Sequence, residues 1–310
     1  MIAGGQDLQT QNINTSYILV VNFTGSSITK IEYKTLPNVP HSFGLASFGN
    51  FNGRSLIMGG TGTNGQCFEF DQEQYDVIPS LNENRFHAAS TFIQNKIVIL
   101  GGVNVGGVNG RNYRRIDSIE TLDWDGSNHG AQWMESPSKL PIKVNKHTMV
   151  TLNDKLFVIG GSVEAIGGTN DLDTIWIGTF DVQENKISWV EMGLRLQRRR
   201  SGHFSFVISN QIIIFGGCGG GFDSRTPYGV GEDFVEIIFG NEIERGPKVP
   251  VDLNTDIDQA VLDRKNRIII LSRGHGLIVY DHQHRSFQHF PNFTLKDKRM
   301  YYASILNDLY

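Results

Sequence analysis

Basic residues recur in step with glycine pairs in this chain. Arg85, Lys146 and Arg200 each stand about 14 to 16 residues before a Gly-Gly, and Arg299 opens a similar stretch near the C-terminus. His41 and Asp256 hold the corresponding places elsewhere. Two long segments that follow glycine pairs add to the set. "VNVGGVNGRNYRR" (103–115) supplies Arg111, Tyr113, Arg114 and Arg115, and "CGGGFDSRTPYGVGE" (218–232) supplies Arg225 and Tyr228. If the fold gathers them on one partly desolvated rim, such guanidinium groups make bidentate, charge-assisted bonds to carboxylate or phosphate. The expected site is therefore Arg85, Arg111, Tyr113, Arg114, Arg115, Lys146, Arg200, Arg225, Tyr228 and Arg299. The other reading makes the entry arginines partners of neighbouring backbone, with the Arg198–Arg200 run a solvated turn.

Other chemistry is sparser. His87, His147 and His203 fall at nearly matching places, and three imidazoles near a common axis can hold a metal. Repetition alone would also place such residues in a ring, so no metal is assigned. Arg200 with Glu164 or Glu232 would make an acid–base pair beside a cation, although loop carboxylates are usually just solvated. Cys67 and Cys218 are the only cysteines and read as reduced thiols rather than a disulfide framework. No Ser-His-Asp order, phosphate-binding glycine loop or zinc-type cysteine pairing occurs. No catalytic residue and no cofactor is assigned.

The elements that must position these residues come from a repeat. "MIAGG", "SLIMGG", "IVILGG", "LFVIGG" and "IIIFGG" place apolar strands ahead of Gly4–Gly5, Gly59–Gly60, Gly101–Gly102, Gly160–Gly161 and Gly216–Gly217. "IIILSRG" is a degenerate sixth copy, with Ser272 in place of the first glycine. A strand that turns sharply at a crowded rim needs positive φ or close backbone approach, which glycine allows. A strand precedes each pair and two more follow. Four strands with two apolar faces cannot stand alone, so the units must stack around a ring. The second strands end near residues 5, 60, 102, 161, 217 and 273. Glycine is abundant at 35 residues and no amphipathic helix is evident. The formal net charge of −4 gives no case for nucleic acid, and no apolar run reaches membrane-spanning length. "MIAGGQ" lacks the features of a signal peptide.

The apolar strand with Gly-Gly, an aromatic further on, and an arginine opening the next unit together resemble the kelch repeat, over the whole chain. The resemblance implies an all-β, six-bladed β-propeller of four-stranded antiparallel blades, a single domain over residues 1–310. "LNDLY" at the C-terminus matches the start of "LNDKLFVIGG" and continues into "MIAGG", so a C-terminal strand at 299–308 is expected to pair with the N-terminal strands and close the first blade. Met1 and Tyr310 would then be neighbours. In a kelch blade the matching histidines are often structural. The metal motifs of copper and iron kelch enzymes are not recognisable here. The resemblance implies a protein-interaction module, monomeric as a domain. It would bind an acidic or polar peptide segment on the face that carries the glycine-pair loops. The alternative is an enzyme on a small acidic sugar, similar to sialic acid mutarotase. A cytoplasmic location is expected for a full-length chain, and none can be assigned to a fragment of a longer one.

Overall fold

The structure is a computed structural model that describes residues 2–3, 15–24, 27–41, 44–51, 54–71, 74–106, 112–125, 130–165, 168–219, 233–251, 253, 258–272, 275–291 and 303–304. It is an all-β propeller of four-stranded antiparallel blades. Five blades are continuous stretches of chain: 47–78, 89–135, 148–191, 204–248 and 258–290. A further four-stranded sheet joins Ala303–Ser304, Ile2–Ala3, Ser16–Thr24 and Ser27–Leu36, in that order. Its two short strands pair Ile2 with Ser304 and Ala3 with Ala303. The rest of the stretch expected as a strand at 299–308 lies outside the described residues, as do Met1, Gly4, Gly5 and Tyr310.

Burial explains the strand composition. The second strands Arg54–Met58, Lys96–Leu100, Lys155–Ile159, Gln211–Phe215 and Arg267–Ser272 are apolar without alternation because both of their faces are covered by adjacent blades. Ile97, Ile99, Ile212 and Ile214 are fully buried on one side of their strands, and Val98, Leu100, Ile213 and Phe215 on the other. Cores therefore lie between blades rather than within them. Leu56, Met58, Ile97, Ile99, Trp124 and Trp133 join the 47–78 and 89–135 blades. Similar clusters join each later pair of consecutive blades up to 258–290, and Leu36 and Val39 join the termini's sheet to Ile57 and Phe68. The outermost strands expose Val77 and Val190. Three first-to-second strand turns use two consecutive left-handed residues, Gln94–Asn95, Asn153–Asp154 and Ser209–Asn210. These suit two-residue hairpin turns that match the strand twist.

The glycine pairs have a steric cause. Gly102 sits at φ 92°, and a Cβ there would lie 2.8 Å from the Phe86 carbonyl oxygen of the link entering the same blade. Gly217, at φ 81°, would meet the Ser201 carbonyl at 2.6 Å. The second glycine of each described pair thus packs under the chain that leads into the first strand of its own blade, and Gly59, Gly101 and Gly160 pack under the link into the next blade. The second and third strands then run on past two of these pairs as hairpins. One is Val103–Gly106 with Asn112–Arg115, the other Ser162–Ala165 with Gly168–Asp171.

Candidate functional site

The glycine-pair face is built in three tiers: buried arginines, a backbone collar around the channel, and the hairpins above it. The lowest tier corrects the expected site. Arg85 and Arg200 are fully buried, and the protein's own acceptors take up their guanidinium groups. Arg85 donates to the Gly101 and Ser118 carbonyls at 3.2 and 2.9 Å, and pairs with Glu120 at 2.7 Å. Arg200 donates to the Gly216 and Phe234 carbonyls, to Glu236 at 2.9 Å and to Asp233 at 2.7 Å. The planar guanidinium fork suits this task because it satisfies several orphan carbonyls and a carboxylate at once. Glu120 in turn accepts from the Asn82 and Glu83 backbone N–H groups, and Glu236 accepts from that of Gln197. Each arginine therefore ties the link entering a blade to the second and third strands of that blade. In the 148–191 blade this place belongs to Val144, whose carbonyl meets Gly101 as that of Arg85 meets Gly59. Lys146 is thus not the counterpart of Arg85 and Arg200; it lies two residues further on.

The second tier is a collar. Leu45, His87 and Lys146 adopt φ of 57°, 53° and 55°, and Gly202 59°. His87 donates its N–H to the Leu45 carbonyl, Lys146 to that of His87, and Gly202 to that of Lys146. This chain of backbone bonds runs from blade to blade around the mouth of a channel of about 310 Å³. Below it hydroxyls join neighbouring first strands: Ser47 with Ser90 at 2.7 Å, Thr91 with Thr151 at 3.1 Å, and Thr148 with Ser205 at 2.6 Å.

His147 and His203 belong to the place next after the collar, with Ala46 and Ala88, whereas His87 is in the collar itself. Their rings lie over the preceding blade's first glycine. His147 Cε1 would be 2.8 Å from a Cβ on Gly101, and His203 Cε1 2.9 Å from one on Gly160. His203 shares a 2.8 Å hydrogen bond with Thr148 through Nε2. Burial holds His147 at a pKa of about 3, helped by the Arg85 charge, with the Leu100 carbonyl opposing weakly. Burial, Arg200 and His147 hold His203 at about 3 as well. Both are neutral wedges between blades. Among the described residues no group of three or more His, Cys, Asp or Glu is placed to hold a metal. Cys67 and Cys218 are reduced thiols, and burial pushes Cys67 up to about 12, leaving it unreactive.

The hairpins form the third tier. Tyr113 is 68% exposed at the tip side of the first hairpin, with its ring edge-on to Phe86. Arg114 is exposed and pairs with Glu83 at 2.7 Å. Arg115 donates through Nε to Asn145 Oδ1 at 3.1 Å and reaches Glu164 of the second hairpin at 3.8 Å. A polar cavity of about 370 Å³ opens beside them, lined in part by Glu83, Arg114, Arg115, Asp117, Lys139 and Lys143. The structure thus brings together Tyr113, Arg114 and Arg115, and places Lys146 in the channel mouth. Arg111, Arg225, Tyr228, Arg299, Asp256 and Glu232 lie outside the described residues.

Fold and face together define a β-propeller with a decorated rim. No family model and no curated protein matches the sequence. Among solved structures the chain is similar to one described as the structure of YjhT, with a TM-score of 0.59 and 15% identity over 76% of this chain and 74% of that one. At that identity the likeness speaks for the fold alone. No helix among the described residues is long and apolar enough to cross a membrane.

Proposed function

We propose that residues 1–310 form one closed ring of six kelch-type blades that serves as a protein-interaction module, with the hairpin face binding an acidic or polar peptide segment. Six four-stranded sheets support the count. Ala303–Ser304 lies against the first strands of both the 258–290 and the 47–78 blades, which supports closure. Closure removes free sheet edges that would otherwise pair with other chains. Deleting residues 299–310 is therefore expected to give an aggregating chain with a lowered melting temperature. A monomeric truncation that melts like the full chain would refute closure.

One observation carries the binding assignment: two hairpins from adjacent blades rise on the glycine-pair side and present Tyr113 to solvent between Phe86 and two arginines. Tyrosine and arginine are the residues that anchor protein interfaces most often. The channel favours the sugar-enzyme alternative less. Its described lining offers Lys146 as a cation but no carboxylate, and Arg200 is already committed to Asp233 and Glu236. Capture of partners on the immobilised protein, compared with a Tyr113→Ala/Arg114→Glu variant, tests the assignment. A partner that the variant loses, at unchanged melting temperature, supports it. Partners retained at equal yield contradict it.

A further inference from the structure

The two hairpins leave a slot between them, and the chain itself shows what fits its floor. In an antiparallel pair, residues alternate between aiming their backbone groups at the partner strand and away from it. Val103 exchanges both backbone bonds with Phe86, on its outer side. Its partner Arg115 therefore aims its N–H and C=O away from Val103–Gly106, and Tyr113, two residues on, does the same. Ser162 exchanges both backbone bonds with Asn145, so Glu164 aims its groups to that side as well. Among the described residues no hydrogen bond takes up the outward backbone groups of Tyr113, Arg115 or Glu164. Asn145 stands at the slot's floor. It pairs with Ser162 through its backbone and accepts from Arg115 through its side chain. Where it is filled, the slot thus holds the single segment at Asn145, and above that segment, among the described residues, only the Arg115–Glu164 side-chain contact spans it.

We infer that this slot takes an extended segment of a partner protein as an added strand, stacked above Asn145 and bonded to the backbone of Tyr113 on one side and Glu164 on the other. The inference rests on the reading of this face as a binding surface and adds the mode of binding. Main-chain bonds supply affinity in such strand addition, and side chains at alternate positions supply selectivity. The adjoining cavity favours acidic side chains. Arg114 and Lys139 of its lining already pair with Glu83 and Asp117, which leaves Lys143 and Arg115, the latter held to the exposed Glu164 only at 3.8 Å, to receive one. An acidic side chain there would also compete with Glu164 for Arg115.

The probe is a library of acetylated, amidated heptapeptides carrying Asp or Glu at alternate positions. The tightest binder is remade with each backbone nitrogen methylated in turn. Strand addition predicts that affinity falls about tenfold at alternate nitrogens and stays nearly unchanged at those between. It also predicts that Tyr113→Pro, which removes an N–H facing the slot, weakens binding well beyond Tyr113→Ala. A peptide that needs the Tyr113 and Arg114 side chains yet tolerates methylation everywhere overturns strand addition and leaves the binding face standing. Failure to recover any peptide sensitive to Tyr113 or Glu164 overturns both. A dimer in size-exclusion chromatography that Tyr113→Pro dissolves overturns the partner segment and assigns the slot to a second copy.

Discussion

Arg200→Ala is expected to destabilise the protein by about 3–5 kcal/mol, the range for removing one member of a buried ion pair. The loss is large because the guanidinium serves two carboxylates and two carbonyls, all in the interior. Truncation leaves Glu236 without its cation, Asp233 with only Arg198 at 3.5 Å, and the Gly216 and Phe234 carbonyls without this donor. Arg85→Ala should act alike through Glu120, Gly101 and Ser118. The exposed Arg114 is the control, because its pair with Glu83 is largely solvated and contributes at most about 1 kcal/mol. Denaturant unfolding of the three variants checks the contrast. An Arg200→Ala protein as stable as the parent would show that the network does not brace the blade. The 148–191 blade shows why the ranking concerns removal of one partner rather than charge itself. There Val144 fills the arginine's place and Trp176 stands where Glu120 stands, so neither charge of the pair is present.

The second large effect is acid sensitivity. His147 and His203 are neutral in the folded protein down to a pKa of about 3, against about 6.5 for an ordinary imidazole. Between those values the unfolded chain binds more protons than the folded one, so stability rises with pH across the window. Their contribution is complete above about pH 6.5 and is lost progressively as pH falls toward about 3. Two such groups give a slope of about 3 kcal/mol per pH unit within the window. Urea unfolding from pH 7 to 4 should show it, and a His147→Asn/His203→Asn variant, though less stable at pH 7, should show a markedly flatter slope. An equal slope in both proteins would mean that other groups govern acid unfolding.

Much of the architecture was legible because its steric demand repeats. The glycine pairs at 59–60, 101–102, 160–161 and 216–217 mark where a strand runs beneath its own blade's link at the second glycine and, at 59, 101 and 160, beneath the next blade's link at the first, all at positive φ. Arginine is different, since the same side chain serves a rim or an interior, and spacing from a glycine pair does not say which. The partner held the missing signal. Glu120 in "SIETLD" and Glu236 in "DFVEIIF" are carboxylates buried among apolar strand residues, and a buried carboxylate requires a buried cation. The offset of Lys146 was hidden for a related reason. The 148–191 blade solves the same position with valine, so counting basic residues slips by two. The collar left no trace in residue type, because Leu45, His87, Lys146 and Gly202 share a left-handed backbone but no side-chain chemistry. The slot between the hairpins likewise follows from backbone direction and not from composition.

On this face buried arginines brace the blades, and the exposed hairpin residues are those proposed to meet a partner. Melting temperature and partner affinity, measured side by side on Arg85→Ala and on Tyr113→Ala/Arg114→Glu, test that division directly. Opposite outcomes are expected: the first variant melts early and, where folded, binds normally, whereas the second melts normally and fails to bind. An Arg85→Ala protein of undiminished melting temperature that has lost its partner would contradict it.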